Sequence, residues 1–185
     1  MNTLTVDVLL KAYGELVEQR PLLTQTGTAG ILTTFADVIS QKLVEQKKGC
    51  DLRRTTIMAA CALMYLGPLV SMWYVFLSMR GYSTGVNVFL DQFIMSPPLL
   101  FGFLVLQTIL FGQGTKAMKH RIRYDLPDVL KINWLIWIPA QIVNFQFVPF
   151  QYRMLYSQSI ALFWNCYLSY RTNNKTRIQP MESVM

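Results

Sequence analysis

Long apolar runs separated by short polar ones dominate the chain, and they predict an all-α integral membrane protein. From Thr55 to Met79 no residue is charged, and a helix of about 20 apolar residues is enough to cross a hydrocarbon core of roughly 30 Å. Val86 to Phe111 carries Asp91 as its only charge. Met154 to Tyr170, bounded by Arg153 and Arg171, is uncharged and near the lower length limit for a span. Gln25 to Leu43 is a weaker run, with Asp37 in its second half and the small residues Gly27, Ala29 and Gly30 near its start. These stretches predict four transmembrane helices, at about 25–43, 55–79, 86–111 and 154–170, within a domain covering 21–170.

The flanking segments read differently. Residues 1–20 lack the continuous apolar stretch of a secretory signal, which speaks against cleavage and export. Leu9, Tyr13, Leu16 and Val17 recur at helical spacings among Lys11, Glu15 and Glu18, and Pro21 ends the pattern. An amphipathic helix lying on the bilayer or against the bundle is expected there. Its acidic residues Asp7, Glu15 and Glu18 weigh against a transit peptide. Ile132 to Tyr152 is uncharged and long enough for a fifth crossing, but Pro139 and Pro149 interrupt it, with Gln141, Asn144 and Gln146 between them. Lipid cannot satisfy backbone groups freed in that way, so an interfacial or re-entrant segment packed in protein is expected in preference to a fifth span. The polar tail, 171–185, is expected to lack fixed structure.

Composition supports the membrane reading. Hydrophobic residues make up 52% and charged residues 15%, against roughly 25% charged in a typical soluble domain. A formal charge of +7 raises nucleic acid as a partner. The basic residues, however, gather between apolar runs, as in Lys42 to Arg54 and Lys116 to Arg123, which is the pattern of loops at a membrane surface. The partner expected is the lipid bilayer, a homo-oligomer is compatible with the pattern, and direct nucleic-acid binding is not expected. Cys50, Cys61 and Cys166 are far apart, form no CxxC pair and stand at no ligand spacing with His120, so neither a zinc site nor a disulfide framework is indicated. No enzymatic constellation is present either. His120 has no HExxH or GxSxG around it, and Gly112-Gln113-Gly114-Thr115-Lys116 lacks the spacing of a phosphate loop. No catalytic residue, metal or cofactor is assigned.

The candidate functional residues are polar groups at bilayer depth. Asp37 shares a helix face with Thr33, Ser40 and Gln41, and the stripe fits either the lining of a pathway or hydrogen-bonded glue between helices. Asp91 and Gln92 precede Pro97 and Pro98, which cannot donate to the carbonyls of Phe93 and Ile94. That predicts a broken helix, serving as a binding device or as a kink needed only for packing. Pro68, after Gly67, invites the same two readings. Gln141 and Asn144 belong with these residues. Arg153 stands at a predicted helix end, where it either snorkels to the headgroups or pairs with Asp37 or Asp91.

These residues resemble a known family, the Mpv-seventeen and peroxisomal-membrane-protein family of small organelle membrane proteins. The likeness runs from about Tyr13 to Tyr170 and is most specific in the last third. There Trp137, Pro139, Gln141, Asn144-Phe145, Val148-Pro149, Tyr152-Arg153, Trp164-Asn165 and Tyr167-Leu168-Ser169 follow in order. Arg20-Pro21, Thr24-Gln25, Asp37, Ser40-Gln41, Arg53-Arg54, Gly67-Pro68, Trp73-Tyr74, Asp91-Gln92 and Ser96-Pro97 add to it. Three positions depart from the family pattern. Ile138 intervenes between Trp137 and Pro139, Ser71 replaces a common histidine, and Asn87 stands near a common lysine. The resemblance implies four membrane helices, a place in the mitochondrial inner membrane or the peroxisomal membrane, and a role as a channel or metabolite pathway. Some family members are linked to maintenance of mitochondrial DNA and nucleotide pools. The loops after the first and third predicted spans hold more Lys and Arg than the opposite side, which predicts that those loops face the matrix and both termini the intermembrane space.

Overall fold

A computed structural model describes residues 3–46 and 49–164 of the chain, and these are helical with no strand. Six helical rods follow one another: α1 Thr3–Gln19, α2 over 21–44, α3 Leu52–Arg80, α4 Thr84–Leu110, α5 over 115–147 and α6 over 153–164. A 3-10 turn, Phe150–Tyr152, leads into the last. The predicted fourth span, 154–170, is described only as far as Trp164; its remainder and the tail lie outside the described residues. α3 and α4 are long and apolar enough to cross a membrane.

Local chemistry sets the ends of the rods. Pro21, in the first turn of α2, closes off α1, since it lacks the N–H that a continuing helix would need. Asp51 caps α3 by accepting from the Arg54 N–H at 3.0 Å. Gly81, at φ 61°, takes the left-handed conformation that ends α3 without a Cβ clash.

Four rods contain one wide, π-type turn, at Ser40–Val44, Ala62–Leu66, Leu90–Met95 and Arg121–Asp125. Three of these turns lie just ahead of Pro68, Pro97 and Pro127, and the cause is steric. A proline ring inside an α-helix collides with the carbonyl four residues back, and widening the turn relieves the collision. Accordingly Gly67, Ser96 and Leu126 each donate to the carbonyl five residues back, that of Ala62, Asp91 and Arg121. The kinks expected at Pro68 and at Pro97 with Pro98 therefore take the form of π turns. The wider register also moves the carbonyl freed by Pro97 back to Gln92, one residue before the expected pair, Phe93 and Ile94.

In the segment 132–152 the interruption expected at Pro139 is absent. Leu126–Phe147 is one α-helix of 22 residues running through Pro139, about 33 Å long at 1.5 Å per residue. Pro139 faces outward, while Asn133, Gln141 and Asn144 face inward and find partners in protein, so no break is forced at the proline. The break comes at Val148-Pro149, where the backbone turns extended.

α2 packs along α3, α3 against α4, and α4 against α5, while α1 lies against α2 and the 150–152 turn. Within α1, Gly14 and Val17 are buried and Tyr13 half-buried, but Leu9 and Leu16 are exposed, so the contact strip is narrower than the apolar face read from the sequence. Close packing between α2 and α3 rests on Gly67: a Cβ there would come within 3.0 Å of Thr26 Cα. Such small-residue crossings are how helices associate in lipid, where apolar side chains gain little from leaving their surroundings. Burial is inverted relative to a soluble domain. Leu23, Ile31, Phe35, Met64, Leu135 and Phe163 are exposed, whereas Gln25, Gln41, Ser71, Thr108 and Asn144 are fully buried.

Candidate functional site

Most of the buried polar residues among those described fall into two networks. The first ties the end of α2 to the start of α3. Asp37 Oδ2 accepts from Thr55 Oγ1 at 2.7 Å and from Gln41 Nε2 at 2.8 Å. Its Oδ1 pairs with Arg54 Nε at 2.8 Å, and Arg54 Nη1 reaches Glu45 Oε1 at 2.5 Å. Gln41 Oε1 accepts from the Asp51 N–H at 2.6 Å, which fixes the loop that enters α3. The polar stripe of Thr33, Asp37, Ser40 and Gln41 is buried, and α3 supplies what a single-helix reading could not show, the guanidinium of Arg54.

The second network lies among α3, α4, α5 and α6. Asp91 Oδ1 accepts from Trp73 Nε1 at 2.9 Å, and its Oδ2 accepts from Gln92 Nε2 at 2.7 Å and Gln141 Nε2 at 2.8 Å. Gln141 also donates to Tyr74 Oη at 3.0 Å, and Tyr74 Oη meets Ser157 Oγ at 2.7 Å. Asn144 Nδ2 donates to Gln141 Oε1 at 2.8 Å. Asn133 Nδ2 donates to Ser96 Oγ at 2.9 Å. The Gln92 carbonyl, left without a backbone donor by Pro97, accepts from the Trp134 indole N–H at 2.8 Å. Thus the helix break beside Asp91 is satisfied by a side chain of α5, as a bilayer interior requires.

The predicted site residues are partly brought together. Asp91, Gln92, Gln141 and Asn144 share one network; Asp37 belongs to the other. Arg153 pairs with neither carboxylate: its Nε donates to the Val148 carbonyl at 3.2 Å, and its guanidinium lies 5.3 Å from the centre of the Phe145 ring. Sequence reasoning missed Trp73, Tyr74, Asn133 and Ser157 as network members. Trp73 and Tyr74 read as apolar residues of a span, and nothing in spacing alone shows which atoms across the bundle meet them.

A cavity of about 1360 Å³ runs between the helices and is lined by residues of both networks, among them Asp37, Arg54, Tyr74, Asp91, Gln141 and Ser157. It is also lined by Arg121, whose Nη1 donates to Thr108 Oγ1 at 3.2 Å. Burial pushes the Arg121 guanidinium below its usual range, against the pull of Asp125. Gln25 Nε2 is buried without a partner, although Ser71 Oγ donates to Gln25 Oε1 at 2.6 Å. Among the described residues no group of His, Cys, Asp and Glu could hold a metal ion.

A profile of the Mpv17 / PMP22 family matches residues 108–169. Over 172 residues the chain is 35% identical to the mitochondrial inner membrane protein Mpv17 of Xenopus laevis, covering 89% of this chain and 97% of the relative. The chain belongs to the Mpv17 / PMP22 family. Protein SYM1 of Gibberella zeae is 34% identical, over 87% of this chain and 95% of its own length. PXMP2/4 family protein 2 of Dictyostelium discoideum is 30% identical, over 88% and 90%. No solved structure matches the chain. The profile match covers the network residues of α5, Asn133, Trp134, Gln141 and Asn144, and Ser157 of α6, while Trp73, Tyr74, Asp91, Gln92 and Ser96 lie outside it.

Proposed function

We propose that the chain forms a pathway for small solutes or ions across the mitochondrial inner membrane and supports mitochondrial homeostasis. The cavity carries this reading. It has room for a small solute, exceeding the roughly 300–1,000 Å³ of a typical ligand pocket, its wall includes carboxylates and amides from helices that face lipid on their other side, and it lies within one chain. Ionisable groups at such depth are costly and mark pathways in membrane proteins. The location follows the names of the Xenopus laevis relative and its counterparts in Danio rerio and Bos taurus; the Dictyostelium discoideum relative, a PXMP2/4 family protein, keeps the peroxisomal membrane as the alternative. Purified protein in liposomes tests the pathway: saturable efflux of trapped small solutes is expected, and vesicles as tight as protein-free ones, with the protein folded, would refute it.

A second reading, a non-conducting scaffold, is favoured by the first network, in which Asp37 is fully matched by Arg54, Gln41 and Thr55. Topology is part of the proposal. Four crossings, by α2, α3, α4 and the helix that begins at 153, put both termini in the intermembrane space and the basic loops after α2 and α4 in the matrix. The unbroken 22 residues of α5 favour a fifth crossing as the competing arrangement. Tags at the two termini, probed with protease after rupture of the outer membrane, separate the two: digestion of both supports four crossings, and digestion of one supports five.

A further inference from the structure

Of the carboxylates on the cavity wall, Asp37 is matched by a cation and Asp91 is not. Asp91 is 7% exposed, and among the described residues no Lys, Arg or His pairs with it. Its three partners are all N–H donors, from Trp73, Gln92 and Gln141. In this arrangement the carboxyl accepts all three hydrogen bonds and donates none, which favours the anion against the cost of burying it. A carboxylate offers about four acceptor positions, three are occupied, and the vacant one is on Oδ1. The same network holds another excess of acceptor character: Asn144 Oδ1 is buried and has no donor. Exchanging the two ends of that amide does not help, because Asn144 Nδ2 must donate to Gln141 Oε1.

The walls beside Asp91 are aromatic. Trp73 holds the carboxylate directly, Tyr74 is one hydrogen bond removed through Gln141, and Trp137 lies one turn before Gln141 on α5; all three line the cavity. Trp137 makes no hydrogen bond among the described residues, so its role there is that of an apolar, electron-rich face. A buried anion lacking a counter-ion, flanked by indole and phenol rings, is the chemistry that recognises an ammonium group.

We propose that the cavity beside Asp91 binds a small organic cation, a primary or quaternary amine, with the carboxylate as counter-charge and the ring of Trp137 as the aromatic wall. This names the solute class of the proposed pathway and rests on that reading only in that the cavity opens to solute. Inorganic cations would meet the same charge but gain less from the ring, since their hydration shells keep them off an aromatic face.

Equilibrium dialysis of the full chain in maltoside micelles against radiolabelled choline tests the site, with 3,3-dimethylbutan-1-ol as the uncharged competitor of the same shape. Saturable choline binding that the alcohol does not displace is expected, weakened about tenfold in Asp91→Asn and several-fold in Trp137→Leu. Should Asp91→Asn fail to fold, Trp137→Leu decides, because it removes no hydrogen bond. Absence of saturable binding, equal competition by the alcohol, or unchanged affinity in Trp137→Leu would each overturn the proposal. Flux of neutral solutes through vesicles without choline binding would leave the pathway standing and remove this site. Saturable choline binding in vesicles that pass nothing would do the reverse.

Discussion

Asp37 and Asp91 sit in comparable apolar runs, yet the fold neutralises them by different means. Asp37 lies near a helix end, where α3 begins with Arg54 close enough for direct ion pairing, and the same arginine holds Glu45. Asp91 lies at a helix break deep in the bundle and is held by an indole and two amides. The difference teaches that a buried carboxylate is not by itself a functional group. Matched by a fixed cation, it joins two helices; matched only by neutral donors, it keeps its charge available to whatever enters the cavity.

The comparison can be broken most sharply at Arg54. Arg54→Ala leaves the buried Asp37 without its cation, and removal of one partner from a buried pair costs about 3 to 5 kcal/mol. Thermal unfolding in detergent should show a large loss, and near-normal stability would mean that Asp37 does not depend on its partner. Next in size, Asp37→Asn should lower stability by about 1 to 3 kcal/mol, with flux per folded molecule unchanged. An altered ion selectivity in that variant would move Asp37 from the structural side of the comparison to the pathway side.

Asp91→Asn should behave oppositely. Interhelical hydrogen bonds in membranes are worth about 0.6 to 2 kcal/mol, so folded protein should persist while liposome flux of cations falls. Loss of fold with unchanged flux per molecule would erase the distinction between the two carboxylates. The smallest effect is expected at Trp134, whose indole satisfies the Gln92 carbonyl. Trp134→Phe keeps the ring and removes that hydrogen bond, at about 1 kcal/mol. Chemical denaturation of the variant measures it, and a cost well above that of Asp91→Asn would show that the helix break, not the carboxylate, organises the second network.

Much of the molecule was legible before any coordinates. The uncharged run over 55–79 and the run over 86–111, whose single charge is Asp91, mark the two longest apolar rods, because lipid imposes a length and a polarity that sequence displays directly. Prolines 68, 97 and 98 mark where those rods deviate, since a missing N–H is a local fact. The partners were not legible. Arg54 for Asp37, Trp73 and Gln141 for Asp91, and Trp134 for the Gln92 carbonyl lie from 17 to 50 residues away in the chain, and periodicity along one helix does not say which face of another it meets. Even the carbonyl that proline frees depended on the π register, which follows from how a whole turn relaxes. By itself, then, the sequence determined that the chain is helical, suited to lipid and polar at a few named depths. Only the tertiary structure decided which of those polar groups are matched and which face the cavity, because both depend on the crossing of helices and on hydrogen bonds whose short range requires atoms to be in place.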